Sequence, residues 1–168
     1  MHGGFFVRGS GNQPKQAGNR TMQNDYRLSD ELSTIDWWKL ANLMAEANLF
    51  DRKAFDIARA FHGSYASVFV FKGDELVGAA RATSDGVYYA TVFDVVIAKD
   101  HQGNGAGRLL MAGLLAKLPF ERIFLTSVFG KEEFYAKFGF LRQTNAMGLY
   151  AGPALTSAVQ RGILEASA

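Results

Sequence analysis

Gln102-Gly103-Asn104-Gly105-Ala106-Gly107-Arg108 is a glycine-rich turn set between a β-branched run, Val95-Val96-Ile97, and a leucine-rich stretch that runs toward Pro119. The run before it reads as a buried strand and the stretch after it as a helix. A strand–glycine loop–helix junction is an anion site by construction. The first helical turn carries N–H groups without partners, the helix dipole adds positive charge, and glycines let an anion reach the backbone. Two other side chains have the chemistry to move protons. Asp94 is the one acid in an otherwise apolar strand, where a carboxylate must be hydrogen-bonded, paired or functional. Tyr135 lies in Phe134-Tyr135-Ala136-Lys137-Phe138-Gly139-Phe140. Its hydroxyl, with an unperturbed pKa of about 10, is a competent proton donor at neutral pH. The same ring also suits a core position beside Phe134 and Phe138.

The glycines do not spell a nucleotide fingerprint. A dinucleotide loop needs Gly-x-Gly-x-x-Gly, and Arg108 stands where the third glycine would be. There is no Gly-x-x-x-x-Gly-Lys-Ser/Thr phosphate loop, and the alternative to an anion site is a tight turn whose glycines only let the helix pack closely. His101 beside it reads as a solvated turn residue. His2 and His62 have no partners at metal-ligand spacing, and Ser127 has neither a nucleophile elbow nor an evident histidine. The chain has no cysteine, which removes disulfides, thiolate metal sites and a cysteine nucleophile.

The elements that must position these residues follow from the pattern of the whole chain. At 168 residues it is long enough for one full hydrophobic core. A net charge of +2 gives no global surface for nucleic acid. No apolar run approaches the roughly 18 residues of a membrane span, and the start lacks a signal-like core, so a cytoplasmic protein is expected. Residues 1–24, rich in Gly, Asn and Gln, read as a disordered leader or an appended remnant. A short strand at Tyr26-Arg27-Leu28 is expected next. A helix from Ile35 to about Ala47, capped by Ser33 or Thr34, and a helix from Arg52 to Phe61 should follow. Strands at 67–71, 76–82 and 87–98, joined by turn-rich segments, predict a three-stranded antiparallel meander. Helix 105–118 then leads to a strand at 122–127, parallel to its predecessor through a right-handed crossover. A short helix over 131–138 and a last strand over 140–150 complete a domain spanning 25–150. Residues 151–168 form an amphipathic tail with an apolar face at Leu155, Ala158, Val159 and Ile163, weakened by Gly162. The fold class is α/β with a mixed central sheet, about four helices and the extra C-terminal one.

On these residues a family likeness rests. Gln102-x-x-Gly105-x-Gly107 resembles the pyrophosphate-binding signature of the GNAT superfamily of acyl-CoA-dependent N-acetyltransferases. Phe134 to Phe140, about thirty residues later and across a strand, is similar to that superfamily's other hallmark, and the element order over residues 25–150 agrees. Val77 to Gly86 with Phe93-Asp94-Val95-Val96 is similar to arylalkylamine-type members, and the Asp-Val-Val segment to glucosamine-phosphate acetyltransferases.

The resemblance implies a GNAT fold whose strand 93–98 splays from strand 122–127. It implies acetyl-CoA as cosubstrate, no metal, and transfer of the acetyl group by direct attack in a ternary complex. Main-chain N–H groups of Gln102, Gly103, Asn104, Gly105, Ala106, Gly107 and Arg108 would hold the pyrophosphate, with Arg108 adding charge. Backbone groups of Val95, Val96 and Ile97 would pair with the pantetheine amides, one N–H facing the thioester oxygen. Tyr135 would protonate the departing thiolate. Asp94 would bind the substrate ammonium or relay its proton; the structural alternative is a partner for a nearby base. Where many members carry an Asn able to contact the pantetheine arm, this chain reads Gly130-Lys131, so that contact is not carried over.

The acceptor expected is the primary amine of a small molecule, tilted toward aromatic or apolar amines by Trp37, Trp38, Phe61, Phe93 and Phe129. One of the two tryptophans should pack inward, leaving the other for the acceptor cleft. The alternatives are a protein or peptide N-acetyltransferase and a non-catalytic acyl-CoA sensor. The tail, 152–168, is expected either to pack on the sheet or to mediate self-association as a homodimer.

Overall fold

The computed structural model describes residues 25–47 and 52–164. The expected leader, 1–24, lies outside the described residues. The chain divides into two compact units, one through Leu125 and one from Thr126 onward.

The first unit is a five-stranded sheet in the order β1-β2-β3-β4-β5, with β1 Tyr26–Ser29, β2 Ala66–Lys72, β3 Glu75–Ser84, β4 Tyr89–Ile97 and β5 Arg122–Leu125. The first four strands pair antiparallel and β4 pairs parallel with β5, so the meander and crossover read from the sequence are both present. Every β2 residue from Ala66 to Phe71 is buried, because helices cover both faces of this central strand.

On one face α3, Ala106–Leu115, turns Ala106, Leu110, Met111 and Leu114 inward. Its close seat depends on Gly113, where a Cβ would stand 2.6 Å from Leu28 Cδ1. On the other face α1, Trp37–Glu46, and α2, Ala54–His62, bury Leu40, Met44, Ile57 and Phe61 against Phe69, Phe71, Ala79 and Val96. Trp37 packs on Phe61 and Phe69 in this layer, whereas Trp38 is exposed.

α1 begins later than its pattern suggested. Asp36 is the cap, its Oδ1 accepting from the N–H groups of Trp38 and Lys39. Ser33 and Thr34 instead belong to a 3-10 turn, Leu32–Thr34, closed by Glu31. The reason is local: Ile35 and Asp36 are extended, which separates the turn from the helix.

The second unit holds α4, Glu132–Ala136, and α5, Gly152–Gln160. The strand expected over 140–150 is absent there: this segment has no regular structure, and Leu141, Met147 and Leu149 are exposed. Its residues suit a strand, but a strand forms only as part of a ladder, and no strand is described within this unit. α5 is shorter than the expected tail because Gly162, at φ 66°, ends it. Ile163 N–H donates to Ala158 O and Gly162 N–H to Val159 O, the paired bonds of a glycine-terminated helix. No helix among the described residues is long and apolar enough to cross a membrane.

Candidate functional site

The glycine turn is closed by its own side chains and followed by a helix without a side-chain cap. After β4 a 3-10 turn, Lys99–His101, brings the chain round, and Gly103 and Gly105 follow with φ of 77° and 90°. Such left-handed φ angles cost an L-residue with a Cβ about 1–2 kcal/mol and cost glycine almost nothing. Gln102 Nε2 donates to Ile97 O at 3.0 Å and Asn104 Nδ2 to Asp100 O at 3.3 Å, so one amide binds back onto the end of β4 and the other onto the 3-10 turn. Gly105 is the N-cap of α3 with no side-chain cap bond. The opening N–H groups of a ten-residue helix are therefore left for another acceptor, with the positive end of its dipole behind them. Arg108 is exposed one turn in.

His101 is not the solvated residue its position suggested. It is mostly buried, its Nδ1 lies 3.0 Å from the Tyr26 hydroxyl, and its Nε2 lies 3.9 Å from Glu75 Oε2. It ties the glycine turn to β1 and to the β2–β3 hairpin.

The strand that feeds this turn has two different halves. Tyr89–Val92 pairs with Arg122–Leu125 on one side, and from Ala90 onward with β3 on the other. Beyond Val92 only the β3 ladder continues, so the edge of residues 93–97 that lies away from β3 is unpaired in the sheet. Ala98 N–H donates to Val77 O at 2.8 Å. Ile97, one residue earlier, therefore turns its own N–H and C=O to that open edge, and its carbonyl is the one that accepts from Gln102.

A bulge divides the halves. Arg81 pairs with Phe93 and Ala79 with Val96, so Asp94 and Val95 together stand opposite Ala80. Among the described residues Asp94 is the only non-glycine with positive φ, 52°. Asp and Asn tolerate that region better than other residues with a Cβ. The extra residue shifts the side-chain phase, so Val96 joins the α1–α2 core while Phe93, three residues before it, lies on the same face. The Asp94 side chain is only 4% exposed. Its Oδ2 accepts from Arg81 Nε at 2.5 Å and its Oδ1 from Arg52 Nη1 at 3.2 Å. Arg81 also donates from Nη1 to Ser64 Oγ, which in turn donates to Ala60 O, and its guanidinium lies over the Phe93 ring. Sequence reasoning did not join Asp94 to either arginine. The signal was available: Arg81 is the one base in the apolar strand before Asp94, and a hairpin can place two lone opposite charges across from each other.

In the second unit, Tyr135 sits near the end of α4. Its ring meets Phe134 and Phe140 edge-on, with centroids 5.1 and 6.2 Å apart, and Phe134 meets Phe138. Gly139, at φ 88°, reverses the chain so that Phe140 N–H bonds back to Tyr135 O. Burial among these rings raises the hydroxyl above the ordinary tyrosine pKa of 10.0, so it carries its proton throughout the neutral range.

The family model described as acetyltransferase (GNAT) family matches residues 32–140. An uncharacterized N-acetyltransferase ycf52 of Porphyra purpurea is 37% identical over 92 residues, 51% of this chain and 53% of that protein. A protein of Glycine max named histone acetyltransferase TAP1 is 35% identical over 85 residues, 49% of this chain and 35% of its own length. The chain spans about half the length of the curated relatives it matches. Among solved structures, a putative acetyltransferase of the GNAT family from Xanthomonas campestris superposes with a TM-score of 0.67 at 24% identity, covering 79% of this chain and 96% of that one.

Proposed function

The chain belongs to the acetyltransferase (GNAT) family, and we propose that it is an acetyl-CoA-dependent N-acetyltransferase acting on the primary amine of a small molecule by direct attack in a ternary complex. One observation carries this reading: beyond Val92 β4 has an edge unpaired in the sheet, and the chain passes from it through the 3-10 turn Lys99–His101 and the glycine turn to the uncapped amides of α3. A strand edge followed by a helix N-terminus fits a ligand with amides along its arm and a pyrophosphate at its end.

Acetyl-CoA, when bound, supplies an acyl thioester at the far end of that arm. The backbone of residues 103–108 would receive the pyrophosphate, with Arg108 contributing charge from the first turn of α3; the Gln102 N–H, expected among these donors, is taken by Lys99 O. Backbone groups of Val95 and Ile97, on the edge away from β3, would hold the arm as a neighbouring strand is held; Val96, expected with them, pairs with Ala79 and turns its N–H and C=O to β3. An N–H on this edge would stabilise the oxygen on which charge develops. Tyr135 would donate its proton to the leaving thiolate. A donor is needed there only as the bond breaks, which makes its contribution one to rate and not to affinity.

The aromatic side chains near β4, Phe93 over Arg81 and Tyr89 against Phe124, support an aromatic or apolar amine of the arylalkylamine kind. A second reading, transfer to a protein amine, is favoured by the name of the Glycine max relative. Thiol release from acetyl-CoA, measured with arylalkylamines, amino sugars and lysine peptides, tests both. Turnover with a small amine and none with peptides is the expected result. Turnover confined to peptides would replace the first reading with the second, and CoA binding without any turnover would leave a sensor.

A further inference from the structure

We propose that Asp94 is a positioning residue: its carboxylate, clamped by Arg81 and Arg52, holds open the bulge that frees the β4 edge for the acyl donor. The inference rests on the reading of that edge as the donor site. Three independent features meet at this residue. The β3–β4 register slips at Asp94-Val95, the pairing of β4 with β5 stops two residues earlier at Val92, and Asp94 alone among the described non-glycines is left-handed.

A bulge bends its strand and strengthens its twist, which carries the following residues away from the neighbour on the far side. In β4 that neighbour is β5, and the residues carried away are those whose backbone would meet the ligand. A bulge with a strained first residue persists only when its surroundings over-determine it. Here the surroundings are explicit. The carboxylate is buried, bonded to Nε of Arg81 from the adjacent strand and to Nη1 of Arg52 just ahead of α2. Arg81 is fixed in turn by Ser64 and by the ring of Phe93. Because the carboxylate is engaged from two sides, its work is done through the backbone it holds and not at the substrate.

Three variants isolate this role. Asp94→Asn keeps a hydrogen-bonding side chain that accepts left-handed φ. Asp94→Gly keeps the φ and loses the clamp, while Asp94→Ala loses both. Calorimetry with CoA, separate KM values for acetyl-CoA and amine, and thermal unfolding are measured for each. The dissociation constant for CoA is expected to rise in the order wild type, Asn, Gly, Ala, reaching about tenfold for Ala. The KM for acetyl-CoA follows it, and the KM for the amine stays level.

Losing one partner of a buried ion pair can unfold a protein; if Asp94→Ala is unfolded by thermal melting, the order wild type, Asn, Gly decides. Asp94→Gly with wild-type affinity for CoA overturns the proposal, whatever its melting temperature. So does a raised amine KM with unchanged CoA binding, which would put the carboxylate on the substrate ammonium. Wild-type protein that fails to bind CoA overturns the donor-site reading itself, and the clamp's purpose with it.

Discussion

The two stretches expected to do chemistry are built in opposite ways. Residues 93–108 offer backbone. Three of their polar side chains are bonded back onto the protein, Asp94 to two arginines, Gln102 to Ile97 O and Asn104 to Asp100 O, and the opening amides of α3 have no side-chain cap. Residues 132–140 offer a side chain. One phenol stands on a five-residue helix, placed by aromatic rings on its own short segment. A backbone site binds throughout the reaction, so damage to it appears as affinity. A single proton donor matters only at the transition state, so damage to it appears as rate.

The sharpest way to break that contrast is Tyr135→Phe. It should lower kcat by about 10²–10⁴ while CoA affinity stays level, as expected for loss of a general acid. Near-normal kcat, with chemistry limiting turnover, would return the ring to a packing role. The pH profile refines the same point. Burial raises the Tyr135 hydroxyl, so loss of its proton can end activity only above pH 10.0. An alkaline limb below that value in the wild type would have to belong to another group.

Next in size is Gly105→Val, which asks a β-branched residue to adopt φ 90° at the head of α3. The strain of about 1–2 kcal/mol, with side-chain bulk added where an anion would sit, should weaken CoA binding tenfold or more and leave the fold intact. Unchanged affinity in the folded variant would refute the anion site. Gln102→Ala removes an exposed hydrogen bond to Ile97 O, worth about 0.5–1.5 kcal/mol. CoA affinity should fall a few-fold and kcat should not move; the reverse pattern would blur the division between the two regions.

The smallest effect is expected at Asp85, outside both regions. Its carboxylate accepts from the N–H groups of Val87, Tyr88 and Tyr89 and is held below 3.8 by those bonds. A depressed carboxyl pKa stabilises the fold above the unfolded value and loses that contribution as pH falls through the folded one. Asp85→Ala should therefore lower the melting temperature slightly near neutrality, and the gap should close in acid below 3.8. CoA affinity and kcat should be unchanged, which makes it the control for the other three.

The amino-acid sequence by itself determined what lies within one turn or one strand of a residue. The glycine turn and its helix, the meander, the parallel crossover and the short helix bearing Tyr135 all follow from local periodicity and from which residues tolerate positive φ. Only the tertiary structure decided what depends on two distant segments at once. Arg81 lies 13 residues from Asp94 and Arg52 lies 42 away, and neither distance leaves a mark on either segment's pattern. The bulge escaped the sequence because register is a property of a strand pair, and a one-residue slip in β4 is invisible until β3 stands beside it. For the same reason residues 140–150 read as a strand: a helix ended by Gly139 and followed by Phe140 invites that reading, but the ladder that would make the segment a strand has to be supplied by another one.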